Sequence, residues 1–207
     1  MTGPPHPATS AGRLFLGVAL TDQARSAVRL QLATETLPGR VVSPDDWHLT
    51  VRFLGDTPSA VQERLRELLG TADLGPGTDI VFGRLGAFPR PDRAAVLWLG
   101  VDEGAAALTA LAARVDEAVR AAGFPAETRP YAPHLTLSRL RPPVDARLLV
   151  GRVPPVRVRM AVDAVVLFRT RQGSGPGRYE EIERFPLSHP PEDGRDRQIS
   201  DRGGTER

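Results

Sequence analysis

Two stretches of this chain follow one plan: a short apolar strand, a helix, then a second strand that opens on His-Leu-Thr. The first copy runs through residues 13–20 (Arg-Leu-Phe-Leu-Gly-Val-Ala-Leu), a helical stretch from Asp22 to about Leu37 that Pro38-Gly39 ends, and a strand over 47–54. The second uses residues 95–101, an alanine-rich helix over 102–122 with Leu108, Leu111, Val115 and Val119 on one face, and a strand over 133–140. A chain built this way twice, with no Gly-rich dinucleotide-binding turn, is confined to a small set of folds. It predicts α+β architecture, with antiparallel sheet and helices packed outside it. The spacing of the copies is too loose for a repeat array and points instead to an internal duplication.

The connecting segments fit that frame. Val41-Val42 reads as a short strand, and Thr57-Pro58 as a helix cap followed by proline at the first helical position. Residues 80–88 read as a strand joined to the one at 95–101 by a Pro-Arg-Pro-Asp turn. Gly123 reads as a helix C-terminal stop, 156–169 as long strand-like alternation, and 179–187 as a last strand. Residues 12–188 are expected to form one domain, with flexible tails at 1–11 and 189–207, because the tails are polar, Pro/Gly-rich and poor in apolar side chains.

Composition removes several kinds of chemistry. The chain has no cysteine, which excludes disulfides, zinc-thiolate sites and thiol nucleophiles. It has no lysine either: all 27 basic residues are arginine, which excludes a P-loop, Schiff-base catalysis and a lysyl-nucleotide ligase mechanism. Arginine suits bidentate recognition of phosphate, although many of the 27 are spread over helix faces and tails, and a net charge of +2 does not describe a protein that coats nucleic acid. No apolar run is long enough to cross a bilayer, and residues 1–12 lack an apolar signal core, so the expected compartment is the cytoplasm.

Of four histidines, His6 and His189 lie in the Pro-rich ends. The other two, 86 residues apart, occupy near-identical settings: His48-Leu49-Thr50-Val51 and His134-Leu135-Thr136-Leu137. Residues i and i+2 of a strand share a face. Each motif therefore presents an imidazole and a hydroxyl on one side and apolar side chains to the core. One such motif is commonly structural. Two of them, on strands lying side by side, would bring two imidazoles and two hydroxyls into one volume. That set suits in-line displacement at phosphorus, with one imidazole as base, its partner as acid, and threonine hydroxyls donating to the charged oxygens. No metal is required, and neither histidine has carboxylate or histidine neighbours at metal-ligand spacing.

With Arg13-Leu14-Phe15, His48-Leu49-Thr50 followed by Arg52-Phe53-Leu54-Gly55, Gly86-Ala87-Phe88-Pro89, Val96-Leu97-Trp98, Pro133 to Arg139 and Tyr179, the chain resembles the 2H phosphoesterases. The specific likeness is to the RNA 2′,3′-cyclic phosphodiesterases, also called 2′-5′ RNA ligase-like proteins. The resemblance implies a bilobal, pseudo-twofold fold with both motifs facing a central cleft. It implies hydrolysis of a 2′,3′-cyclic phosphate at an RNA end to a 2′-phosphate, with His48 as proton donor, His134 as proton acceptor and no cofactor. Thr50, Thr136 and Arg139 are the expected substrate contacts. Strand parity turns Arg139 away from the cleft unless the strand bulges. Phe15 and Tyr131 are candidate stacking platforms, for which a place in the core or wall is the alternative, and Arg52, sharing parity with His48, is a candidate source of positive potential at the cleft edge. The expected partner is RNA or an oligonucleotide with a cyclic phosphate end, with no membrane, and the chain is expected to act as a monomer. Rival readings are another activity of the same superfamily, either 2′-5′ oligonucleotide hydrolysis or ATP-independent joining, and an RNA-binding module without catalysis. The intact motifs argue against the module.

Overall fold

The computed structural model describes residues 10–171 and 177–188. His6, His189 and the tails expected to be flexible lie outside the described residues, apart from 10–11. In chain order the elements are β1 (Ser10–Ala19), α1 (Asp22–Gln31), β2 (Arg40–Val41), β3 (His48–Pro58), α2 (Ser59–Thr71), β4 (Thr78–Phe88), β5 (Ala94–Glu103), α3 (Ala105–Ala121), β6 (His134–Val144), α4 (Arg147–Arg152), β7 (Arg159–Val162), β8 (Ala164–Thr170) and β9 (Tyr179–Pro186).

The strands line up as β7-β4-β5-β6-β3-β1-β8-β9, with β2 added on β6. Every ladder between named strands is antiparallel. The expected α+β class is therefore observed, and so is its twofold character. Four strands lie on each side of the β6–β3 junction, and the two motif strands are the innermost pair. They meet through a single register pair, Leu49 with Leu135. These are the residues that follow His48 and His134, so the pseudo-axis passes between them. Both leucines are fully buried, and one contiguous apolar core runs through both halves. Helix α3 covers that core with Leu108, Leu111, Val115 and Val119, the stripe its sequence spacing predicts.

The two ends of the strand order are joined. Asp163 alone separates β7, the outermost strand of one half, from β8 in the other. The sheet must curl until its ends meet there, and the long alternation over 156–169 is divided between them. Its carbonyl also accepts the Leu187 N–H at 2.8 Å, which fastens the end of β9 to the same point.

Two local readings change. The first helix stops at Gln31 rather than near Leu37, because the segment after Leu32 offers no further apolar stripe to bury. Thr57 does not cap α2: it is fully buried, and its hydroxyl donates to the Gly55 carbonyl at 3.1 Å. Pairing of Ser10 with Pro58 keeps this stretch in β3, and Pro58 takes the cap position without a side-chain bond.

Candidate active site

The two motif strands place His48, Thr50, His134 and Thr136 on the wall of one cleft of about 760 Å³. Strand alternation does this as expected. Leu49 and Leu135 go to the core while the residues on either side of each face the cleft.

The two imidazoles are held identically. His48 Nδ1 lies 2.8 Å from the Asp46 carbonyl oxygen, and His134 Nδ1 lies 2.7 Å from the Ala132 carbonyl oxygen. A carbonyl can only accept, so each Nδ1 carries its hydrogen and each Nε2 is left as the site that gains or loses a proton. In both cases the acceptor is the backbone two residues before the histidine, just ahead of the strand. Side-chain identity plays no part in this bond, since one position is aspartate and the other alanine. The threonine hydroxyls have no hydrogen-bond partner within the described residues, which leaves both free for a ligand.

Aromatic rings enclose the imidazoles unequally. His48 lies 4.6 Å from the Phe15 ring, 5.8 Å from Phe168 and edge-on to Tyr179 at 4.9 Å. His134 stands edge-on to Phe88 at 5.0 Å, with Trp98 behind it at 6.1 Å. Trp98 can lie flat across β4 because residue 86 is glycine: a Cβ there would come within 2.3 Å of the indole. Burial pushes the His48 pKa down to about 4, against the hydrogen bond that its Nδ1–H donates to the Asp46 carbonyl, with the positive charge of Arg139 and the other histidine adding to the fall. His134 shifts in the same direction, first through burial, and again with Arg139 contributing. Both shifts favour the neutral imidazole.

Arg139 lines this cleft, although parity with His134 would turn it away. In the β5–β6 ladder Leu97 pairs with Ser138 but Trp98 pairs with Thr136, so Leu137 is an extra residue. This bulge inverts the alternation and returns Arg139 to the face of the two histidines. The guanidinium has no ion-pair partner among the described residues. Strand β3 repeats the device. Leu16 pairs with Arg52 and Gly17 with Thr50, leaving Val51 extra, and the residue returned to the cleft is Phe53. Phe53 and Arg139, each three residues after its threonine, are therefore equivalent positions with different chemistry.

Phe15, Tyr131 and Arg52, the other expected contacts, do not line this cleft. Phe15 is buried at 3% exposure and stacks on Phe168 at 4.9 Å, so it is the wall behind His48 and not an open platform. Tyr131 packs against the main core with its hydroxyl buried and unpaired, and burial raises its pKa. Arg52 does not add open positive potential. Its Nε donates to Asp116 at 2.9 Å, a terminal nitrogen reaches Glu127 at 3.3 Å, and another bonds the Pro125 carbonyl. It ties β3 to α3 and to the loop that leads into His134.

Sequence reasoning did not single out Phe53 or Asp46. Only an alignment of the two motif strands with their bulges marks Phe53. Asp46 is buried, and besides orienting His48 through its carbonyl it accepts the Arg178 N–H at 2.7 Å on Oδ1, which docks the start of β9 beside the site.

The model of the 2′-5′ RNA ligase superfamily matches residues 22–174. The chain is 34% identical over 188 residues to an RNA 2′,3′-cyclic phosphodiesterase of Geobacillus stearothermophilus, a match covering 87% of this chain and 59% of that protein. It is 31% identical to one from Escherichia coli, covering 85% of this chain and 97% of that one. The crystal structure of E. coli LigT complexed with 3′-AMP superposes with a TM-score of 0.74 at 27% identity, covering 87% of this chain and all of that one. The chain thus spans less than two thirds of the length of the Geobacillus relative but nearly all of the E. coli proteins.

Proposed function

This chain belongs to the 2′-5′ RNA ligase superfamily, and from that premise we propose that it hydrolyses RNA 2′,3′-cyclic phosphate ends to 2′-phosphomonoesters by metal-independent acid–base catalysis. The observation that carries the reading is the pair of imidazoles in one cleft, each with Nδ1–H bonded to backbone and Nε2 left free. Relatives named RNA 2′,3′-cyclic phosphodiesterase support the substrate class.

The cyclic phosphodiester binds between the two rings. His134 Nε2 accepts a proton from water as the water oxygen bonds to phosphorus. The bond from phosphorus to O3′ breaks, and His48 Nε2 supplies the proton that O3′ takes up. The products are a 2′-phosphate and a 3′-hydroxyl, and the pair returns to its starting state by passing one proton from His134 to His48 through solvent. Thr50, Thr136 and Arg139 donate to the non-bridging oxygens, where charge gathers in the transition state. The pair must carry one proton between them for this cycle. Burial disfavours that proton, and the negative charge of the substrate's phosphate, placed beside both rings, favours it. Residues 12–188 act as one catalytic domain in this reading, supported by the main apolar core that runs through both halves, and the chain is taken to act as a monomer.

Steady-state kinetics on an oligonucleotide ending in a 2′,3′-cyclic phosphate tests it. His48→Ala and His134→Ala should each lower turnover by roughly 10²–10⁴-fold, with the double variant little worse than either single one. The wild-type pH–rate profile should be bell-shaped and each single variant should lack one limb. Product analysis should show only the 2′-phosphate. A folded single variant that keeps most of its rate would remove that histidine from the mechanism.

A further inference from the structure

A second cleft, of about 690 Å³, opens on the other side of His134 and runs toward α3. It is not separate from the first: Thr50, Phe53, Phe88, Arg129 and His134 line both. Its remaining walls are mostly small or apolar, with Ala112 and Ala113 of α3 on one side and Tyr131 on another. The carboxylates it contains, Asp116 and Glu127, both pair with Arg52, and Glu127 also pairs with Arg129, so two guanidiniums balance the two negative charges.

Phe53 stands where the two clefts join. It is 58% exposed, whereas Val51 and Leu49 before it are buried. The bulge at Val51 is what turns it outward, at the position where the other half carries Arg139. A single exposed ring is ordinary on a protein surface, but this one lines both clefts at their junction, and a flat aromatic face is what a nucleobase stacks upon. Arg129 reaches the same junction. Its side chain is 81% exposed, and its ion pair to Glu127, at 3.4 Å, is long and solvated.

We propose that this second cleft binds the nucleoside preceding the cyclic end of an RNA chain, with its base on Phe53 and the linking phosphate near Arg129. The terminal nucleoside and its cyclic phosphate then occupy the first cleft, which Arg139 lines. The inference rests on the cyclic phosphodiesterase reading for its substrate. It adds that the protein recognises a chain and not a lone nucleotide.

The test compares a nucleoside 2′,3′-cyclic phosphate with a dinucleotide ending in the same group, for wild type, Phe53→Ala and Phe53→Trp. Wild type should prefer the dinucleotide in kcat/KM by roughly tenfold, within the range that stacking one base gives. Phe53→Ala should erase most of that preference through KM, lowering dinucleotide kcat/KM at least fivefold more than that of the mononucleotide, and Phe53→Trp should restore it. Equal losses on both substrates would place the ring against the terminal nucleotide and overturn the proposal. No loss on either would do the same. Binding by titration calorimetry of the dinucleotide and mononucleotide 2′-phosphates separates the two readings. If neither cyclic substrate is turned over yet Phe53→Ala weakens only the dinucleotide, the second subsite stands and the activity falls. If turnover is found and dinucleotide binding ignores Phe53, the activity stands and the subsite falls.

Discussion

His48 is a titratable side chain set among rings that cannot solvate a cation, and its behaviour with pH follows. Its ordinary value is near 6.5 and its folded value about 4. Above 6.5 it is neutral folded or unfolded and contributes no pH dependence. Between 6.5 and about 4 the unfolded chain takes a proton that the folded chain refuses, so stability falls as pH falls through that window. His134 adds to the trend in the same direction. Urea midpoints at pH 7 and pH 5 should therefore differ more for wild type than for His48→Asn, and equal differences would mean that the ring is better solvated than its neighbours imply. The threonines are tested separately. Thr50→Val and Thr136→Val keep shape and remove a hydroxyl that has no partner among the described residues. Each should raise the barrier by about 2–4 kcal/mol, as loss of an oxyanion donor does, with unchanged thermal midpoints; near wild-type turnover would show that the hydroxyls do not meet the phosphate. At this scale the sequence was legible where it was duplicated. The two His-Leu-Thr copies mark four residues of the cleft. The surroundings of Arg52 were not legible, because its partners Asp116 and Glu127 come from 64 and 75 residues away and nothing local announces them.

The bulges matter most at the scale of the strand. A regular strand places Arg139 on the wrong face, and parity is all that a sequence offers. The extra residues at Val51 and Leu137 are set by pairing with β1 and β5, which is tertiary information. The small strand β2 backs the second bulge, with Arg40 paired to Arg139 and the Val42 N–H bonded to the Leu137 carbonyl at 2.8 Å. Gly39 lets it come this close. Its φ is +80°, and a Cβ there would lie 2.6 Å from the Arg139 carbonyl oxygen. Gly55, also at positive φ (+73°), has nothing within 4 Å of its notional Cβ. Gly55→Ala should then lose only the backbone penalty of about 1–2 kcal/mol, while Gly39→Ala should lose more and also reduce activity, since the clash falls on the residue that carries the guanidinium. Thermal melts and kinetics on the two variants decide this. Comparable losses, with activity intact, would mean that β2 does not hold the bulge. The same tertiary influence explains Thr57-Pro58, whose local chemistry reads as a helix start but whose pairing with Ser10 keeps it in β3.

For the whole molecule, repetition of strand, helix and strand anticipated the α+β class and the equivalence of the halves. The closing of the sheet through Asp163 was not visible, because an alternating stretch does not say which partners its two ends will take. Among the described residues no group of three or more His, Cys, Asp or Glu is placed to hold a metal ion. Turnover should accordingly survive EDTA, and loss that a single divalent ion restores would contradict the two-imidazole mechanism. Among the described residues no helix is long and apolar enough to cross a membrane. The halves are tied at two distant places, at Leu49 with Leu135 and again across Asp163. A frame pinned at two points resists a hinge motion of one half against the other. The gap between the imidazoles is then a built-in gauge, fixed before any RNA arrives. Under the proposed reaction a cyclic phosphodiester that fits the gauge is opened and a wider group is refused, with no swing of one half against the other between one substrate and the next.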